Sequence, residues 1–398
     1  MDEVKRITRF PAGAVTAPPS KSVLHRAVIC SALAGGEVIR GVSDDIDATS
    51  ACVETLLTGG KSVVCDCGES GSTLRFLIPI ALALGVPAAF VGRGRLLARP
   101  MEAFLDELRA HGAEITQTRG AITVSGRLRA EEYALPGGIS SQYVTGLLLA
   151  LPLLARESKI RLTSPLQSRA YVDITLDIMQ KFGVRASETA RGYEVPGLQR
   201  YLKHSLTPEG DYSQAAFFLV SGALGREVEV LGLDPSSKQG DRAVLDILRR
   251  AGITLETTAR GGVIARSGKI RATDVDAADI PDLVPPLAAM LACADGTSRV
   301  YNAERLRLKE SDRLEAVSAE LSSLGADVFT HSGELEIRGK PRLRGGTADP
   351  RGDHRIAMMA AVAAIRCDAP VFVKNPECVR KSYPNFWRDF EVSEGERT

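Results

Sequence analysis

Two motifs recur along this chain at a spacing near 70 residues, and that recurrence limits the fold more than any single segment does. The first is an Ala- and Leu-rich, helix-like stretch ending in a small turn and followed by an apolar, strand-like run. Its copies are Ser31–Ile39, Ala81–Phe90, Leu151–Leu162, Val220–Val230, Leu291–Val300 and Ala361–Phe372, with turns near Gly36, Gly85, Arg156, Gly225, Gly296 and Asp368. The last four intervals are 71, 69, 71 and 72 residues. The second motif is an amphipathic helix closed by glycine and followed by a β-rich run, at Phe104–Ile115, Ile178–Val184, Leu245–Ile253 and Val317–Val328. Its glycines, 112, 183, 252 and 325, lie 71, 69 and 73 apart. Gly after a helix supplies the left-handed cap that other residues adopt at a cost. Two motifs with one period mark a repeat architecture.

Each unit therefore reads as strand, helix, strand, helix, strands, an α/β pattern. One unit alone cannot bury both faces of its sheet, so several must pack together. Six units divide naturally into two domains of three, and 398 residues exceed what one core holds. Pro208 and Gly210 mark a crossing point near the middle.

Composition narrows the functional classes. A formal net charge of +1 exerts no global pull on nucleic acid or an anionic membrane. Any anion site must then be built locally from converging Lys and Arg. Seven scattered cysteines, with no partner pair or His at zinc spacing near Cys65 and Cys67, argue against a disulfide framework or a zinc site. The first ten residues hold no apolar signal core, and no apolar run approaches the roughly 20 residues of a membrane span. These features point to a reduced, cytoplasmic protein, with a frayed tail expected after Val392.

Five segments place polar residues where a helix should begin. In Pro18-Pro-Ser-Lys-Ser22, either Ser20 or Ser22 is suited to capping, and Lys21 falls where helix amides and dipole attract an anion, with Arg26 about a turn on. Small residues in Glu69-Ser-Gly-Ser-Thr-Leu-Arg75 permit close backbone approach to a ligand. Ser140, Ser141 and Gln142 suit either phosphate oxygens or simple capping. Lys309, Glu310 and Arg313 are predicted to share one helical turn, as a ligand cluster or as a salt-bridge ladder. Asp353 is a predicted N-cap for the almost wholly apolar run Ile356–Ile365, and the charges of His354 and Arg355 at the tip of a buried helix require partners.

Together these segments resemble the 5-enolpyruvylshikimate-3-phosphate synthase family of enolpyruvyl transferases. The resemblance runs in order through Pro-Ser-Lys-Ser-x3-Arg at 19–26, Gly-Ser-Thr-Leu-Arg at 71–75, Ala-Arg-Pro at 98–100, Ser-Ser-Gln at 140–142 and Ser-Arg-Ala-Tyr-Val-Asp at 168–173. It continues through Glu-Gly-Asp at 209–211, Ile-Pro-Asp at 280–282, Lys-Glu-Ser-Asp-Arg at 309–313, Asp-His-Arg-x-Ala-Met at 353–358 and Lys-Ser-Tyr-Pro at 381–384. Any one motif is modest; the ordered set, spanning nearly the whole chain, is specific.

The resemblance implies a two-domain inside-out α/β barrel of six βαβαββ units, three per domain. Residues 20–208 would hold the shikimate-phosphate site, and 1–19 plus 209–398 the phosphoenolpyruvate carboxylate clamp, with ligands in the cleft between. It implies transfer of the enolpyruvyl group of phosphoenolpyruvate to the 5-hydroxyl of shikimate 3-phosphate by a monomer, with no cofactor or metal. Residue by residue, it implies that Lys21, Ser22, Arg26, Ser140, Ser141, Gln142, Ser168, Tyr171, Asp282 and Lys309 line the shikimate 3-phosphate side. Lys21, Gly71, Arg99, Gln142 and Lys381 would face phosphoenolpyruvate, with Arg313 and Arg355 clamping its carboxylate. Asp282 would face the attacking hydroxyl, and Lys21 and Glu310 would carry the proton transfers. The chemistry suits this census, because four anionic groups in one site need several cations to offset them.

The chain departs from the family at Glu69, where many members have Asn, at Ala170, commonly Pro, and at Arg305, where some place Asn. Phe76, commonly Pro, bears on sensitivity to glyphosate. The related transferase acting on UDP-N-acetylglucosamine usually carries a Cys shortly before the position of Arg99, and Gly92–Ala98 contains none. An RNA 3′-phosphate cyclase would need a nucleotide site and a catalytic His, and a basic stripe is absent. A merely anion-binding relative would not require Lys21, Asp282 and Glu310 together.

Overall fold

The computed structural model describes residues 3–391, so the tail expected to fray lies outside the described residues. It has two compact units: one runs from Lys21 to Pro208, and the other joins the chain up to Ser20 with the chain from Glu209 onward. Ser20 belongs to the second unit, one residue away from the boundary read in the sequence. Its N–H donates to the carbonyl of Glu209 at 2.8 Å, extending the bridge between Pro19 and Gly210.

Four sheets share one topology, and the repeat explains it. In the Lys21–Pro208 unit, Val63–Asp66 pairs parallel with Ala88–Val91, which pairs antiparallel with Ala121–Gly126, and Ala113–Gln117 closes the far edge. The same order recurs for Glu132–Pro136, Ser158–Ser164, Gly192–Val195 and Ser187–Thr189. In the other unit it recurs for Ala14–Thr16, Glu229–Leu231, Val263–Ala265 and Leu255–Thr257. It recurs again for Val275–Asp276, Thr297–Tyr301, Leu335–Arg338 and Asp327–Thr330. A fifth sheet, Gly346–Ala348 parallel to Val371–Lys374 with Val4–Ile7 antiparallel on its other side, has three strands.

A parallel pair needs a crossover, usually helical. The first motif supplies it: Gly71–Leu84, Ser141–Ala150, Tyr212–Ala223, Val284–Leu291 and His354–Ala363 are buried almost residue for residue. A helix apolar all round belongs in a core, and each unit has its own. The second motif supplies one-sided helices such as Glu102–Ala110, which buries Phe104, Leu105 and Leu108. The first copy is shortened. Helices Lys21–Leu33 and Asp44–Thr58 lead directly into Val63–Asp66: the strand expected within Ser31–Ile39 does not form, and the two antiparallel strands that follow elsewhere are missing. That omission accounts for the 49 residues between Gly36 and Gly85, against 71 to the next turn. No described helix is long and apolar enough to cross a membrane.

Candidate active site

In the Lys21–Pro208 unit, Lys21 opens helix Lys21–Leu33, and its Nζ sits 2.7 Å from Oδ2 of the buried Asp45. Of the two predicted caps, Ser20 Oγ is buried without a hydrogen-bond partner among the described residues, and Ser22 lies inside the helix. Asp45 is carried by Asp44–Thr58, which Ser43 caps. A run of buried hydroxyls fixes this helix: Thr49 Oγ1 donates to the Asp45 carbonyl, lies 2.6 Å from Thr73 Oγ1 and 2.8 Å from His25 Nδ1. Burial, with Lys21 and Arg26 close by, holds the His25 imidazole well below its ordinary pKa and therefore neutral.

Arg26 is almost wholly committed within the unit. Its Nε donates to Thr175 Oγ1 (2.7 Å), Nη1 to the Ser22 carbonyl (2.7 Å), and Nη2 to the Tyr171 carbonyl (2.9 Å) and Thr145 Oγ1 (3.4 Å). Four of five guanidinium hydrogens thus go to protein acceptors. Arg26 braces three helices, and Phe76 lies fully buried 5.1 Å from its guanidinium carbon. Tyr171 and Ser168 belong to the start of Arg169–Lys181, where Ser168 is buried in a left-handed conformation (φ 56°). Non-glycine residues persist there only when their surroundings over-determine them, and such strain clusters at ligand sites. Ser140 caps Ser141–Ala150 through the Gln142 amide, and Ser141 is buried.

Gly71, Arg75, Arg99 and Gln142 converge. Arg75 Nη1 donates to Gln142 Oε1 (2.7 Å), whose Nε2 donates to Ser72 Oγ (3.0 Å). A Cβ on Gly71 would stand 2.8 Å from Nη1 of both Arg75 and Arg99, so only glycine lets both guanidinium groups approach that helix N-terminus.

In the other unit all six expected residues meet in one network. Arg313 is 1% exposed. Its Nε and Nη2 donate to the two oxygens of Asp353 (2.9 and 3.3 Å), Nη2 also to Glu310 Oε2 (2.7 Å), and Nη1 to Asp282 Oδ1 (2.8 Å). Arg355 Nη2 donates to Asp282 Oδ2 (3.1 Å) and Ser213 Oγ (3.0 Å), and Nη1 to the Asp282 carbonyl (3.2 Å). Lys309 Nζ is 3.6 Å from Asp282, and Lys381 Nζ is 4.0 Å from Glu310. Asp353 is the N-cap of His354–Ala363, accepting from the Arg355 amide. One correction concerns Lys309 and Glu310, which do not share a helical turn with Arg313. The helix begins at Arg313, because Asp312 caps it by accepting from the Glu315 amide; Lys309 and Glu310 lie in the preceding loop.

Burial works against ionisation of Asp282, yet Arg355, Lys309 and Arg313 outweigh it and hold the carboxyl well below the usual range. Burial likewise lowers Lys309, partly offset by Asp282. The neighbouring Asp241 is pushed up to about 8 by burial and by the charges of Asp282 and Asp211. Asp211 caps its own helix, Tyr212–Ala223. Lys309, Arg313, Arg355 and Lys381 thus meet the carboxylates of Asp282, Glu310 and Asp353, with Asp211 and Asp241 close by. Sequence reasoning left Asp45, Ser213 and Asp241 out of the site and gave Arg75, the end of the Gly-Ser-Thr-Leu-Arg motif, no ligand role. Asp45 is one of three acids in the first turn of its helix, and nothing local in the sequence links it to a lysine 24 positions earlier.

The family model of EPSP synthase (3-phosphoshikimate 1-carboxyvinyltransferase) matches residues 7–390. The 3-phosphoshikimate 1-carboxyvinyltransferase of Clostridium kluyveri is 41% identical, covering 96% of this chain and 95% of that protein. Its counterpart from Clostridium novyi is 40% identical, covering 98% and 97%. A solved EPSP synthase structure from Acinetobacter baumannii superposes with a TM-score of 0.76 at 24% identity, over 98% of this chain and 99% of that one. That likeness shows a shared mixed α/β fold.

Proposed function

The chain belongs to the EPSP synthase family, and from that premise we propose that it transfers the enolpyruvyl group of phosphoenolpyruvate to the 5-hydroxyl of shikimate 3-phosphate, releasing phosphate. The observation that carries the reading is the grip of two guanidinium groups on one carboxylate: Asp282 lies 2.8 Å from Arg313 and 3.1 Å from Arg355. The carboxylate of phosphoenolpyruvate takes those donors when it binds, a bidentate geometry natural to Arg. Asp282, relieved of part of its cationic hold, gains proton affinity and becomes able to accept hydrogen from the 5-hydroxyl.

Gly71, Arg99, Gln142 and Lys381 hold the phosphate that leaves. Ser140, Ser141 and Ser168 hold the phosphate of shikimate 3-phosphate, while Ser22, Arg26, Tyr171 and Lys309 border its ring. Lys21 and Glu310 move the proton onto the methylene carbon and off the resulting methyl group. Protonation builds positive charge at the adjacent carbon, the 5-hydroxyl oxygen attacks it, and loss of a methyl proton together with C–O cleavage forms the new double bond and expels phosphate. The reading has residues from both units, 20–208 and 1–19 plus 209–398, acting on one pair of substrates. Its finer architecture is six βαβαββ units in two inside-out halves, supported by four sheets of one topology and a three-stranded fifth. The working form in this proposal is a cytoplasmic monomer.

Phosphate release from phosphoenolpyruvate is expected with shikimate 3-phosphate and not with UDP-N-acetylglucosamine. Release only with the sugar nucleotide overturns the assignment. For Arg355→Ala, loss of a charge-assisted contact of about 1.5–3 kcal/mol is expected to raise the KM for phosphoenolpyruvate roughly tenfold to hundredfold. The KM for shikimate 3-phosphate should stay near its starting value. Equal losses for both substrates would show the clamp to be misassigned.

A further inference from the structure

We infer that Glu320, which touches none of the site residues, is a positioning residue that holds the Arg313–Asp353–Arg355 clamp in register; the inference rests on the clamp reading above. Glu320 lies two turns along the helix that Arg313 begins, and it is 6% exposed. Its Oε2 accepts from the Asp349 amide at 2.8 Å, and its Oε1 from Arg351 Nη2 at 3.3 Å. Ser323, in the last turn of that helix, donates through Oγ to the Thr347 carbonyl at 3.1 Å. The helix is thereby stitched along the strand and turn that lead into Asp353.

That turn does not hold its shape unaided. Arg351 (φ 53°) and Gly352 (φ 74°) are consecutive left-handed residues. Glycine adopts this conformation freely, but an arginine there is strained and persists only where its surroundings fix it. What fixes it is visible: Glu320 takes the Arg351 side chain and the Asp349 amide, and Asp349 Oδ1 takes the Arg351 amide at 3.0 Å. The next residue, Asp353, binds Arg313 through both carboxylate oxygens and caps the helix carrying Arg355.

The helix from Arg313 to Ser323 therefore meets the 347–353 segment at two places, Arg313 with Asp353 and Glu320 with the turn just before it. Releasing the second lets Asp353 drift, and with it both guanidinium groups. A small misplacement of oriented groups is enough to weaken a bidentate grip. Glu320 is an unusual occupant for its position, since Ala316, Val317 and Leu321 on the same helix are fully buried and apolar. Burial raises the affinity of its carboxyl for a proton, while the Asp349 amide and Arg351 act in the opposite direction.

The test compares steady-state phosphate release for Glu320→Ala, Glu320→Gln, Arg351→Ala and Arg355→Ala. Loss of these hydrogen bonds in Glu320→Ala is expected to raise the KM for phosphoenolpyruvate about tenfold while that for shikimate 3-phosphate stays within about twofold. Glu320→Gln keeps an acceptor for the Asp349 amide and should return the value to within about threefold of the parent. Arg351→Ala should give a smaller rise of about threefold in the same direction, and it decides the matter if Glu320→Ala does not fold. A folded Glu320→Ala with unchanged KM for phosphoenolpyruvate, or with both KM values raised alike, overturns the inference, as does a silent Arg351→Ala. Arg355→Ala separates the two levels. If it fails to act selectively, the clamp reading falls and this inference with it. If it is selective while the Glu320 and Arg351 variants are silent, only the inference falls.

Discussion

Arg313→Ala is expected to lower stability by about 3–5 kcal/mol and to remove saturable binding of phosphoenolpyruvate. The side chain is buried, and its donors reach Asp353, Glu310 and Asp282. Deleting it leaves Asp353, which is 0% exposed, without its principal cation. Breaking a buried pair by removing one partner is far more damaging than the pair is helpful, because the orphaned charge stays buried. Arg313→Lys keeps a charge but not the planar fork, and one ammonium cannot meet three carboxylates in those directions. It should recover part of the stability and little of the binding. Urea unfolding with phosphoenolpyruvate titration in parallel checks both, and an Arg313→Ala protein of parental midpoint would refute the network as described.

Lys21→Arg provides the second large effect. The guanidinium retains a positive charge for Asp45, so the ion pair at 2.7 Å has a substitute and the protein should unfold within a few degrees of the parent. It stays protonated throughout, so a proton-transfer role is lost, and kcat should fall by about 10²–10⁴-fold. Lys21→Ala should lose a similar factor in kcat and somewhat more stability, because Asp45 is then left without its lysine. A Lys21→Arg enzyme turning over within a few-fold of the parent would remove Lys21 from the proton-transfer steps and leave it a binding role only.

How far these features were legible depended on whether they are local. The 70-residue period was written in apolar runs and cap glycines, and each pair of motifs became a crossover helix with its strand and a one-sided helix with its strands. The short first interval has its cause in the structure, where that unit lacks the strand expected within Ser31–Ile39 and two antiparallel strands. Asp312 and Glu315, spaced as a capping box, carried the signal that the helix starts at Arg313, but the charges at 309 and 310 obscured it. Long-range pairings left no such trace. Asp45 meets Lys21, Ser213 meets Arg355, and Glu320 meets Asp349 only because separate segments pack side by side, at separations of 24, 142 and 29 residues. Asp241 shows why charge alone misleads: its sequence context is an ordinary polar loop, and burial beside other acids sets its titration.

The strand order also dictates a timetable for synthesis. Val4–Ile7 pairs with Val371–Lys374, and Ala14–Thr16 with Glu229–Leu231. A ribosome that has made Pro208 has already delivered every residue of the Lys21–Pro208 unit, which owns a complete core and is free to fold. The two strands ahead of it have no such option. Ala14–Thr16 waits for Glu229–Leu231, made just past the middle of the chain, and Val4–Ile7 waits for Val371–Lys374, made near its end, so the nascent chain carries an unpaired β edge for most of its time on the ribosome.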